Sequence, residues 1–277
     1  MTPENYQDII RKREEAEFHD KIRSDEVQSD PKLRSFYTSN VKFYSITRAS
    51  KTYYEKLILQ RCRNKRVLDY CCGGGYYAMF AATHGAKESV GIDISQETIR
   101  FAVERVTKHN LADKVSFKVM DAEALEFENE SFDLIIESGA LHHLDLRRAW
   151  SEMNRVLRSD GQAICMEALG HNPLIQWYRQ RTPHLRTVYE TKHILTYSAI
   201  HSVLDYFGKV DIKYFHFLSL AAVPLRGRAA FEPLLKLLEV ADSVFLRLPL
   251  IRNMAWIVVF VLSKPRKDCN ADQTIAD

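Results

Sequence analysis

"VLDYCCGGGYYA" (67–78) decides how this chain is read. An apolar run leads to a Cys-Cys pair, and Gly73-Gly74-Gly75-Tyr76-Tyr77-Ala78 then fits the G-x-G-x-x-G/A spacing of a strand–turn–helix that cradles a nucleotide-like ligand. Glycines allow the sharp turn and a close approach of backbone to ligand. A helix starting at residue 76 offers its N-terminal amides to an anionic group, pyrophosphate or carboxylate, and the loop alone does not choose between them. Asp69, an acid inside the strand, is the unusual feature. A carboxylate there repels a pyrophosphate and favours a ligand carrying positive charge.

Outward from this stretch, strands and helices alternate. The pattern predicts strands at 66–71, 88–95, 114–122, 132–140 and 161–169, with helices at 76–84, 96–109 and 145–158. Ser95 reads as an N-cap, with Glu97 in the first turn behind it. This rhythm specifies a mostly parallel sheet covered on both faces. Beyond it lie an irregular stretch (170–195), a helix (197–207), a strand (209–219), a helical stretch (229–248) and a final strand (254–263). Ahead of it lies a charged helix, 3–26, with Tyr6, Ile9, Ile10, Phe18 and Ile22 on a loose apolar stripe. Asp30-Pro31 ends that helix, and a tyrosine-rich helical stretch follows at 35–61. The expected organisation is a helical arm or cap (1–60), a core (61–265) with inserts at 170–195 and 221–252, and a flexible tail (266–277).

The 277 residues suffice for one large α/β domain with appendages. Net charge is +3, from 39 basic and 36 acidic residues, which gives no electrostatic case for nucleic acid. The dense charge of residues 1–26 does not fit a secretory signal. Five cysteines, an odd number without C-x-x-C or Cys/His zinc spacing, read as reduced thiols in a cytoplasmic protein with no metal. The apolar run "MAWIVVFVLS" (254–263) is too short to span a bilayer and reads as a buried strand.

Ligands of open α/β sheets bind outside the carboxyl ends of the strands. Here the second strand ends at Asp93-Ile94, the third at Asp121-Ala122, and the fourth at Glu137, followed by His142-His143. An acid about 20 residues beyond the glycines suits ribose hydroxyls.

"VLDYCCGGG", "VGIDIS", "VMDAEAL", "FDLIIESGALHHL" and "EMNRVLRSDGQAICME", in this order over residues 60–170, resemble the class I S-adenosylmethionine-dependent methyltransferases, type-11-like branch. The resemblance implies a Rossmann-like α/β fold. Its seven-stranded, mostly parallel sheet would have 254–263 antiparallel, with N-terminal helices and a C-terminal lid insertion. It implies S-adenosyl-L-methionine as cofactor. Asp69, Cys71 and the Gly73/Gly75 loop would hold the methionine end, Asp93 with Ile94 the ribose, and Asp121 with Ala122 the adenine, while Glu137 closes the methionine side. Cys71 stands where the family places a glycine. The implied activity is methyl transfer to a C, O or N atom of a small, apolar or ring-bearing metabolite of specialised biosynthesis. Alternatives are a saccharide or lipid-linked acceptor, a cyclase-like member without transfer, and a nicotinamide-dependent oxidoreductase, which Asp69 and Asp121 disfavour.

On the acceptor side, Tyr37, Phe43, Tyr44, Tyr53 and Tyr54 supply aromatic walls. His171, just past the fifth strand, is the first candidate base; His142 is its rival, and Tyr44 is a further catalytic candidate. Arg179, Arg181 and Arg186 could grip an anion, but a solvated face is the favoured reading. Leu218, Leu220, Phe231, Leu234, Leu235, Leu238, Phe245 and Leu248 suggest a hydrophobic lid. The expected partner is a small molecule, with the N-terminal helix either covering the acceptor pocket or joining a homo-oligomer by exchange.

Overall fold

The computed structural model describes residues 3–267, so most of the expected tail lies outside the described residues. Five helices open the chain: α1 (Pro3–Arg23), α2 (Asp25–Ser29), α3 (Pro31–Tyr37), α4 (Val41–Tyr44) and α5 (Arg48–Leu59). The core follows as β1 (Arg66–Tyr70), α6 (Tyr76–Thr83), β2 (Glu88–Asp93), α7 (Gln96–Lys108), β3 (Val115–Val119), β4 (Phe132–Ser138), α8 (Leu146–Val156) and β5 (Leu157–Ala168). The last third holds α9 (Pro173–Arg181), α10 (Val188–His193), α11 (Tyr197–His201), β6 (Phe207–Phe215), α12 (Phe231–Phe245) and β7 (Ile257–Pro265).

Side chains punctuate these elements where polar residues meet free amides. Ser95 Oγ accepts from Thr98 N at 3.0 Å and starts α7. Asp30 Oδ1 accepts from Lys32 N at 2.7 Å, and Pro31 opens α3 without needing an N–H partner. The stretch 170–195 is more regular than its sequence suggests. Asn172 caps α9 ahead of Pro173, and Thr187 caps α10. The helix expected over 197–207 stops at His201 and continues as a 3₁₀ turn, Ser202–Asp205.

The strand order is β3-β2-β1-β4-β5-β7-β6, with β7 antiparallel to both neighbours and the other six parallel to one another, as the sequence led us to expect. β7 buries both faces. Val258, Phe260 and Leu262 enter one apolar layer with Trp150, while Ile257, Val259 and Val261 enter the other with Tyr54 and Leu235. Covering on both faces explains why the segment reads as a continuous apolar run. Phe231 and Leu235 of α12 pack in this second layer. No helix among the described residues is long and apolar enough to cross a membrane.

α1 turns only part of its expected apolar stripe inward, with Phe18 and Ile22 lining a cavity at the carboxyl edge of the sheet. Tyr6 and Ile9 are 56% and 49% exposed, while Arg11 and Glu15 are buried. The surface it covers is the acid-rich carboxyl edge of the sheet, where cations gain more than apolar side chains do.

The loop after β1 is fixed by close packing. Cys71 has φ 57°, a left-handed conformation that glycine adopts more cheaply. Gly75 has φ 71°, and a Cβ there would sit 2.4 Å from the Phe117 ring. Gly73, at φ 49°, has no atom within 4 Å of such a Cβ. Gly75→Ala should therefore destabilise the protein by roughly 2–5 kcal/mol, adding overpacking to backbone strain. Gly73→Ala should cost only about 1–2 kcal/mol, from strain alone. Denaturant unfolding of the two variants checks this; equal losses would mean that Phe117 yields freely.

Candidate active site

Cys71, Gly73, Asp93, Ile94, Asp121 and Ala122 line one cavity of about 220 Å³ at the carboxyl edge of the sheet. Asp93 holds its rim together: Oδ2 accepts from Gly73 N and Oδ1 from Ser95 N, each at 3.0 Å. Asp121 Oδ1 accepts from Glu123 N at 2.8 Å. α1 roofs the cavity. Lys12 Nζ lies 2.8 Å from Asp121 Oδ2, and Arg11 Nη2 donates to both oxygens of buried Glu123 at 2.7 Å. Asp20 Oδ1 accepts from Ser95 Oγ at 2.6 Å.

Asp69, Gly75 and Glu137 lie behind this lining. Asp69 is buried, and its Oδ2 accepts from Ala78 N at 2.8 Å, tying β1 to the first turn of α6. Burial pushes its carboxyl up to about 8, with nearby Asp93 adding to the effect and the Ala78 amide opposing it. Glu137 is fully buried, accepts from Ala140 N at 2.7 Å and has no partner at Oε2. Burial, and then the charge of Glu167, hold its carboxyl well above the usual range.

A second cavity of about 370 Å³ adjoins the first, and Ser138, Gly139, His19 and His143 line both. Gly139, at φ 78°, leaves open space at the junction. His142 is the polar centre of the second cavity. Its Nδ1 lies 2.7 Å from Glu167 Oε2, at the end of β5, while its Nε2 lies 3.8 Å from Glu190 Oε1 on α10. Burial opposes the Glu167 charge, but His142 and the Leu141 amide outweigh it and hold the carboxyl below its ordinary value. With Nδ1 directed at Glu167, Nε2 is the ring nitrogen left to face the cavity.

The aromatic expectations divide. Tyr37, Phe43 and Tyr44 line the second cavity, joined by Tyr178 and Trp256. Tyr53 packs against Phe215 instead, and Tyr54 lies in the core with its hydroxyl donating to Glu137 O at 2.8 Å. His171 lines neither cavity. Its ring stacks on Tyr197 at 4.6 Å and its Nε2 accepts from Tyr197 N at 3.2 Å, because the chain turns toward α11 immediately after β5. Arg179 and Arg186 face the second cavity rather than solvent; Arg181 does not line it and stacks over Trp177 at 3.9 Å. The cover of this cavity comes from 173–190, not from α12.

Glu167 and Glu190 were not singled out from the sequence. The strand-end rule that selected Asp93 also reaches Glu167, whereas nothing local marks Glu190. Two groups, Glu15/His19/His143 and His142/His143/Glu190, bring ligand atoms within 4.8 Å of one another, a spacing that could hold a metal. Here His143 Nδ1 bonds directly to Glu15 Oε2 at 2.9 Å.

Residues 67–161 match the family model of a methyltransferase domain. The chain is 33% identical over 123 residues to a demethylmenaquinone methyltransferase of Lactiplantibacillus plantarum, covering 42% of this chain and 52% of that protein. It is 33% identical over 150 residues to methyltransferase GfsG of Streptomyces halstedii, covering 49% and 53%. The chain thus spans about half the length of these curated relatives. Its structure is similar to phosphoethanolamine N-methyltransferase 2 of Haemonchus contortus in complex with S-adenosyl-L-methionine (TM-score 0.57, 18% identity, 83% of this chain and 57% of that one). It is also similar to geranyl diphosphate C-methyltransferase from Streptomyces coelicolor A3(2) in complex with Mg²⁺, geranyl diphosphate and S-adenosyl-L-homocysteine (TM-score 0.57, 14% identity, 78% and 77%). The chain has the class I S-adenosylmethionine-dependent methyltransferase fold.

Asp69 makes stability depend on pH. Unfolded, it titrates near ~3.9; folded, near about 8. Between these values the native state holds a proton that the unfolded state has released, so stability falls as pH rises. Relative to Asp69→Asn, the wild type should lose up to about 1.4 kcal/mol per pH unit across this window. Denaturation midpoints measured from pH 4.5 to 7.5 check it, and parallel curves for the two proteins would refute the assignment.

Proposed function

We propose that this protein transfers a methyl group from S-adenosyl-L-methionine to a small, ring-bearing acceptor, with His142 as the base. The observation that carries the reading is the pair of adjoining cavities, one ringed by strand-end acids and the other by aromatic rings around a His–Glu pair. The fit to the cofactor rests on Gly73 and Gly139, whose missing side chains leave open space. Asp93 with Ile94 would take the ribose, Asp121 with Ala122 the adenine, and Cys71, the Gly73/Gly75 loop and Glu137 the methionine end, with Asp69 bracing the loop from behind. The cofactor supplies an electrophilic methyl group on a sulfonium.

The residues of this chain do the rest. Tyr37, Phe43, Tyr44, Tyr178 and Trp256 hold the acceptor by its rings and exclude water; alignment of this kind supplies much of the rate of a displacement. His142 Nε2 takes the proton that an O or N acceptor releases. Glu167 fixes the tautomer and steadies the imidazolium that results. His171 gives way to His142 because it faces Tyr197, and Tyr44 serves as a wall. A nicotinamide reading is weaker, because the domain model and the solved structures that the chain resembles are those of methyltransferases. α1 buries its polar face on its own chain, so we read it as an intramolecular roof rather than an arm exchanged in a homo-oligomer. The free thiols Cys62, Cys71, Cys72 and Cys165 suit a cytoplasmic setting.

Two measurements test the reading. S-adenosyl-L-homocysteine should bind in a calorimeter, and Asp93→Ala should weaken it ~10- to 150-fold by removing charge-assisted hydrogen bonds. With methyl-labelled S-adenosyl-L-methionine and a metabolite extract, His142→Asn should cut label transfer ~10²–10⁴-fold while product-nucleoside affinity stays at the wild-type value. A folded wild type that does not bind S-adenosyl-L-homocysteine would sink the proposal.

A further inference from the structure

The ionisable side chains of the second cavity have direct side-chain partners with one exception among the described residues. Glu167 bonds to His142, and the Arg186 guanidinium lies 3.2 Å from Glu190. His143 is held by Glu15, and His19 lies 4.0 Å from the same carboxylate. Arg179 is 8% exposed, yet among the described residues no carboxylate forms an ion pair with it. Its one protein hydrogen bond runs from Nη1 to Leu169 O at 3.1 Å. A guanidinium carries five N–H donors in a planar fork, so most of this one remains available. Burial, reinforced by Arg186, lowers its affinity for the proton to about 10, with Glu190 opposing, and it stays charged at neutral pH.

The neighbouring residue points the same way. Tyr178 lines the cavity, and its buried hydroxyl has no hydrogen-bond partner among the described residues. An unmet donor and an unpaired buried cation lining one cavity are costly unless a ligand satisfies them. A purely structural arginine would not account for the pair, since the bond to Leu169 O uses a single donor. Neither Tyr178 nor Arg179 lines the first cavity, so the cofactor's own carboxylate is not the match.

We infer that the acceptor carries a carboxylate that docks on Arg179 and the Tyr178 hydroxyl, and that this subsite sets which end of the acceptor faces His142. One guanidinium without an ion-pair partner can take one carboxylate. A phosphomonoester brings close to two, and its surplus would face Glu190 and Glu167. The planar fork suits the bidentate geometry of a carboxylate. The orientation toward His142 rests on the methyl-transfer reading; the anion site does not.

The test uses the whole chain with saturating S-adenosyl-L-homocysteine. The probes are benzoate, 4-hydroxybenzoate and 4-hydroxycinnamate, their three amides, and 4-hydroxyphenyl phosphate, followed by fluorescence of Trp256, which lines the cavity. Carboxylates should bind about tenfold or more tightly than the matching amides and more tightly than the phosphate. Arg179→Gln should erase the preference over the amides, Arg179→Lys should keep part of it, and Tyr178→Phe should weaken the carboxylates alone. S-adenosyl-L-homocysteine affinity should not move in any folded variant. If Arg179→Gln does not fold, Tyr178→Phe and the acid–amide comparison in the wild type carry the test. No saturable carboxylate binding, equal binding of acids and amides, or a preference that survives the variants would overturn the inference. Carboxylate binding in a protein that ignores S-adenosyl-L-homocysteine would leave the subsite standing and remove the methyl-transfer reading.

Discussion

Four successive strands each deliver a carboxyl group to the same edge of the sheet: Asp93, Asp121, Glu137 and Glu167. Like charges gathered in a partly dry site repel one another strongly, and much of the molecule is arranged around that constraint. Each acid meets it differently. Asp93 accepts from two backbone amides and thereby ties the loop after β1 to the start of α7. Asp121 takes Lys12 from α1. Burial and the neighbouring Glu167 raise the Glu137 carboxyl well above its usual range, whereas His142 helps to lower that of Glu167. The place of α1 follows from this crowding, because its cations complete the edge.

The core was legible because its signals are local. The alternation of strands and helices, the glycines after β1 and the acids at strand ends all act within a few residues of where they are written. What failed to read was tertiary. Tyr6 and Ile9 suggested the inner face of α1, but the surface beneath is acidic, so Arg11 and Lys12 turn inward to meet it, while Glu15 finds His143 and Thr187. His171 looked well placed because it follows β5, but the chain swings away and stacks it on Tyr197. Arg179 lies in a run, "RQR", that resembles a solvated helix face. Only the folding of 173–190 over the cavity buries it.

The two cavities meet at Ser138 and Gly139, the end of β4, and their linings differ in kind. One is built by the sheet itself together with α1. The other draws on α3, α4, α9 and α10, elements that lie outside the repeating core, and shares α1 through Phe18, His19 and Ile22. Such a division lets one scaffold keep its cofactor side while the peripheral helices decide what is accepted, which is how sites are grafted on common folds.

α1 is fastened largely by charge. Arg148 and Lys12 reach Asp8 and Asp121 across partly exposed gaps, while the exposed Tyr6 and Ile9 contribute little apolar burial. Contacts of this sort answer to ionic strength, as the screening length shrinks from about 8 Å at physiological salt to about 3 Å at 1 M. They also carry little of the heat-capacity change that apolar burial produces. The doubly covered sheet is the reverse, insensitive to salt and strongly curved in its response to temperature. Roof and body therefore answer to different solution variables, with the buried Arg11–Glu123 pair the part of the roof that salt screens least.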